Sequence, residues 1–152
     1  MTAFESLIAE FAGKTGMSIA PAHDGSVSLE ADGVYITAQS REERGDVLLF
    51  SFPAGDMKPE PMTMAKALSL AAHGLGTGGF YLGISGGIFV LSGSMSLEGA
   101  SAEDFANKLL LLAGATLKVE KALAGAIVEY GQSEIASKGD SSPSSGFHAI
   151  QV

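Results

Sequence analysis

The run Gly74-Leu75-Gly76-Thr77-Gly78-Gly79 spells G-x-G-x-x-G, a pattern that binds a dinucleotide when a strand leads into the glycines and a helix follows. In that setting the pyrophosphate rests on the first amides of the helix. Here the order is reversed. A helical pattern precedes the glycines and a strand pattern follows, so the helix end aimed at them is its negative one, and no Lys lies in the run. The residues read as a helix stop followed by a turn, with a small ligand- or nucleotide-binding turn over 74–79 as the alternative. The imidazoles are three, His23, His73 and His148, and none has a second His at helical or strand spacing. His23-Asp24 alone could pair a base with its orienting carboxylate, and His73 suits a helix C-terminus through the dipole. The serines form no nucleophile elbow. Glu42, Glu43, Asp46, Glu98, Glu103 and Asp104 fall in turns and helix starts, where solvent and dipoles stabilise acids, with an acidic docking surface as their other reading. No catalytic residue, no metal site and no cofactor is expected.

Composition narrows the remaining classes. The chain has 152 residues, 46% apolar, enough for a buried core in one domain without a metal or disulfide, and it contains no Cys. Nine Lys and Arg against 17 Asp and Glu leave a net charge of −8, which repels nucleic-acid backbones and anionic membranes. The absence of Trp and an aromatic content of 7% leave few stacking platforms for bases. No apolar run reaches the roughly 20 residues of a membrane helix, and Glu5 and Glu10 stand where a signal peptide would be basic. A cytoplasmic protein is expected, binding no nucleic acid and inserting in no membrane.

The elements that would position any site follow from periodicity. Thr2-Ala3-Phe4-Glu5 forms a capping box, and Phe4, Leu7, Ile8 and Phe11 make one stripe, predicting a helix over 3–14. Val27 and Leu29 alternate with polar residues up to an Asp32-Gly33 turn; Val34, Ile36 and Ala38 then share a face opposite Tyr35 and Thr37. The run from Val47 to Phe52 reads as a more buried third strand, completing an antiparallel meander. Pro53, Pro59 and Pro61 mark a loop. Met64, Leu68, Ala71 and Leu75 predict a second helix over about 62–73, and Phe80, Leu82 and Ile84 with Ile88 and Val90 predict a hairpin around Ser85-Gly86-Gly87. Gly79 and Gly83 suggest close approach of another backbone or subunit. Ser101 to Asp104 caps a long helix, residues 102 to about 130, and Leu110 and Leu111 widen its apolar face enough to predict cover on more than one side. Residues 132–152 hold six Ser and read as a disordered tail after a domain of 1–131.

The fold class is therefore α+β: helix, three-strand antiparallel meander, helix, two-strand hairpin, long C-terminal helix. This order resembles the class I type III secretion chaperones, the Tir-chaperone-type family, over residues 3 to about 128. The residues that carry the resemblance are Leu7 to Ala12, Val27 to Val34, Ala65 to Ile88, and Phe105 with Leu109 to Leu112. The serine-rich tail and an unusually Ala- and Gly-rich second helix depart from the family. The resemblance implies a homodimer that performs no chemistry and holds the N-terminal region of a secreted effector in extended form, soluble and ready for export. A secretion-apparatus ATPase is a further candidate partner. Carried over by position, Phe4, Leu7, Phe11, Val27, Leu29 and Tyr35 would line the effector groove. Met64, Leu68, Ala71, Leu75, Phe80 and Tyr81 would form the dimer seam. A protein-interaction module of the same fold outside secretion is the other reading.

Overall fold

The free amides at a helix start need oxygen partners, and Thr2 supplies the first: its hydroxyl accepts from Glu5 N at 3.1 Å while the Glu5 carboxylate accepts from Thr2 N at 2.7 Å. From this box α1 runs Ala3–Thr15 and stops at Gly16 in the left-handed region. The computed structural model describes residues 1–72, 74 and 76–134. His73, Leu75 and His148, and the expected tail beyond Glu134, lie outside the described residues.

Strands β1 (Val27–Ala31) and β2 (Val34–Arg41) are joined by Asp32 and Gly33, both at positive φ, the backbone a two-residue hairpin turn requires. After a short 3-10 turn at Glu42–Arg44, β3 runs Asp46–Ser51. Pro61 opens α2 (Pro61–Ala71), where its missing amide hydrogen costs nothing. The second hairpin joins β4 (Tyr81–Ser85) to β5 (Ile88–Ser96) through Gly86 and Gly87. The last element, α3, spans Ala102–Glu134, 33 residues or about 50 Å. It is longer than expected. Gly131 does not end it, so the helix continues into the region read as tail.

One five-stranded antiparallel sheet results, in the order β1-β2-β3-β5-β4. The inner face, with Val27, Leu29, Ile36, Ala38, Val47, Leu49, Phe89 and Leu91, is covered by the helices. Phe105, Leu109, Leu112, Val119 and Leu123 on α3 meet that face, and Phe11 of α1 stacks edge-on against Phe105 at 5.1 Å. Ser51 and Thr116 place two hydroxyls inside this layer, 2.7 Å apart. The Thr116 proton goes to the Leu112 carbonyl at 2.6 Å, so the Ser51 hydroxyl donates to Thr116.

Within the protomer no atom approaches within 4 Å of a Cβ placed at Gly79 or Gly83, so no backbone of the same chain packs there; the close approaches inside the protomer are at Gly93, where the Phe80 ring would stand 2.6 Å away, and at Gly76, where the Leu70 side chain would stand 2.7 Å away. Leu110 and Leu111 are not covered on a second side within the protomer, being 50% and 64% exposed.

Candidate functional site

The glycine run closes on itself in a turn. Gly79 N donates to the Gly74 carbonyl at 2.8 Å, Phe80 N donates to Thr77 O, and the buried Thr77 hydroxyl donates to Gly74 O. Amides already donating inside the loop do not cradle a phosphate. The carboxylates with displaced titration serve structure as well. Two hydrogen bonds from Ser26, from its hydroxyl and its amide, hold Asp24 below the usual carboxylate range, and Ser101 does the same to Asp104 at the start of α3. Among the described residues no group of three or more potential metal ligands gathers.

The six residues expected to line a groove are placed unequally. Phe4, Leu7, Phe11, Val27 and Leu29 are buried in the protomer's own core, and Tyr35 alone is exposed. The α1 stripe and the inward residues of β1 that suggested a guest surface both belong to the one internal core, the stripe meeting α3 through Phe11 and Phe105. Leu7, Phe11 and Leu29 thus present no free face. Phe4 and Val27 keep an edge on a recess of about 220 Å³, completed by Ile8, Ala9, Ala12 and Ile19, beside the unpaired edge of β1. A wider, more polar cleft of about 550 Å³ lies on the other side of Phe4, with Glu42, Arg44 and Glu98 on its walls.

The expected seam residues gather more closely. Met64, Leu68 and Ala71 stand exposed on α2, and they face Leu82, Gly83 and Ile84 of β4 across an almost wholly apolar recess of about 180 Å³. Leu68 is 71% exposed and Tyr81 79%. Phe80 departs from this set: it is buried, its ring lies over Gly93, and Lys108 Nζ sits 5.2 Å above it. Strand alternation explains this, since Tyr81 points outward and its neighbour must point in.

The sequence reading missed the outer sheet face. Thr37, Phe50, Ser92 and Tyr81 form one row across four strands on the side away from the helices. Leu48, Phe50, Phe52 and Val90 are half-buried there without joining the core, and the Phe50 and Phe52 rings meet edge-on at 5.8 Å. The signal was present in Val47 to Phe52. A run apolar at every position, in a chain with too few helices to cover two faces, must turn alternate residues to solvent.

Comparison with known proteins bears on these surfaces. The model of the Tir chaperone protein (CesT) family matches residues 6–116. Among curated proteins none is significantly similar in sequence. Among solved structures, a chain of the ExsC–ExsE complex shares 25% identity with a TM-score of 0.65, covering 79% of this chain and 92% of that one. A chain of the HopA1–SchA chaperone–effector complex gives a TM-score of 0.62 at 17% identity, with coverage of 78% and 94%. The structure of the Yersinia pestis type III secretion chaperone SycH with a stable fragment of YscM2 gives 0.58 at 17%, with coverage of 76% and 98%.

Proposed function

The chain belongs to the Tir chaperone protein (CesT) family, and from that membership we propose that it is a type III secretion chaperone that holds the N-terminal region of an effector extended, soluble and export-competent. One observation carries the reading: the core is sealed, yet apolar surface is left facing solvent at the α2–β4 recess, the outer sheet face and the recess beside β1. Large exposed apolar patches on a folded chain mark interaction surfaces. The chain acts in the cytoplasm, where its client is made, and among the described residues no helix is long and apolar enough to cross a membrane.

The surfaces divide between two partners. A second copy packs on Met64, Leu68, Ala71 and Tyr81, where Gly83 and Ala71 let backbones come close. The client strand lies along the edge of β1, adding main-chain hydrogen bonds and placing an apolar side chain in the recess between Phe4 and Val27. Leu7, Phe11 and Leu29 belong to the core of the protomer and do not line this recess. Glu42 and Glu98 favour a client with basic residues nearby.

Co-expression with the product of a neighbouring gene tests the reading: the effector is expected to co-purify and to become soluble. Failure of every neighbouring product to do so would overturn it. Ala9→Arg, on the exposed rim of the recess, is expected to abolish co-purification while melting temperature and subunit mass stay unchanged. Leu68→Asp is expected to halve the mass in light scattering, and an unaltered mass would remove α2 from the subunit contact.

A further inference from the structure

The outward face of α3 is a poor match for solvent and for the rest of this acidic chain. Leu110, Leu111 and Leu117 are 50%, 64% and 47% exposed, and Lys118 and Lys121 stand exposed among them. Between Asp104 and Glu120 the helix carries no carboxylate, although the chain as a whole has 17 acids against 9 bases. Among the described residues neither lysine makes an ion pair; the salt bridges are Lys14–Glu10 and Arg41–Asp46. Gly114 lies midway along the face, and a Cβ placed there meets nothing within 4 Å, so the helix surface is notched at its centre.

We propose that this face docks an acidic amphipathic helix of a partner protein, distinct from the extended client. The backbone of α3 is satisfied internally, so only side chains are on offer, and such a surface takes another helix rather than an added strand. The notch at Gly114 permits a close crossing. Leucines on either side of it receive apolar residues spaced i, i+3, i+4 and i+7 on the partner, and Lys118 and Lys121 meet its flanking carboxylates. A second copy of this chain is a worse occupant, because it would bring four lysines and no carboxylate into one contact. An anionic bilayer is opposed by the net charge of −8.

The test uses the full chain and a designed helical peptide of about 18 residues, long enough to span the face. Its apolar stripe is leucine and its flanks are glutamate, and a control peptide carries lysine at the flanks. Saturable binding of the acidic peptide in calorimetry, weakening as salt rises, is expected, with the lysine peptide bound at least about tenfold more weakly. Lys118→Glu combined with Lys121→Glu is expected to reverse that preference, and Leu111→Ser to weaken the acidic peptide with no change in melting temperature. Because both sites are exposed, circular dichroism verifies that each variant folds. Equal binding of the two peptides, or no effect of the charge reversal, overturns the proposal. So does loss of binding in Leu68→Asp alone, which would place the peptide on α2. A fall in the mass of the assembly in Leu111→Ser would assign the face to a second copy instead, and binding to phosphatidylglycerol vesicles without peptide binding would assign it to a membrane. Each of these also overturns it. None touches the recess beside β1, so the client reading stands or falls separately.

Discussion

Inside the helix–sheet layer, the hydroxyl of Ser51 has one acceptor, Thr116, and both groups are shut away from water. Thr116→Val keeps the volume and removes the acceptor, stranding a buried donor at a cost of about 1–3 kcal/mol. Adding Ser51→Ala should recover much of that loss in chemical denaturation, because a site with neither group strands nothing. Gly93→Ala is expected to be worse than its size suggests. The added methyl meets the Phe80 ring, which is pinned under Lys108, so the change should cost about 1–3 kcal/mol as an overpacking defect. Glu120 gives a pH signature of its own. Partial burial raises its carboxyl above the usual value, so the folded chain binds more protons than the unfolded one between the two values. Its contribution is therefore most favourable at low pH and declines as pH rises through the raised value. Glu120→Gln should remove that decline, seen as a flatter dependence of melting temperature on pH just above the ordinary glutamate range. Asp104 has the opposite sign: its lowered value adds stability above the ordinary range, lost as pH falls through the folded value.

Caps and turns govern the elements, and these were the most legible features of the sequence. Ser101 accepts from Asp104 N at 3.1 Å while the Asp104 carboxylate takes the Ser101 amide and hydroxyl. Ser101→Ala should destabilise the fold by about 0.5–2 kcal/mol, read from the denaturant midpoint. Helix starts, hairpin turns and the two-residue alternation of the strands could be recognised locally because their signals are short: Thr2 with Glu5, Asp32 with Gly33, Gly86 with Gly87. What lay beyond reach was which apolar residue faces which neighbour. Phe4, Leu7, Phe11, Val27 and Leu29 look alike whether they receive a guest or one another, and only the packing of α1 against the sheet and α3 distinguishes the two. Leu7→Asp is accordingly expected to unfold the chain, since it would bury a charge. The α2 residues Met64 and Leu68 show the converse. Their spacing is that of a core helix, yet both stay exposed on the rim of the apolar recess opposite β4.

For the molecule as a whole, two locally closed units share a single seam. The β1–β2–β3 meander and the β4–β5 hairpin are each built from neighbouring strands, and the ladder between β3 and β5 is the sheet contact that joins them. α3 contacts strands of both units as well as α1 and α2. It is also the last described element to leave a ribosome. Until that rod is synthesised, the oily inner face of the sheet lacks its longest cover and has only α1 and α2 to lie on it, so a chain stalled near residue 100 should be prone to clumping and should need a holdase of its own.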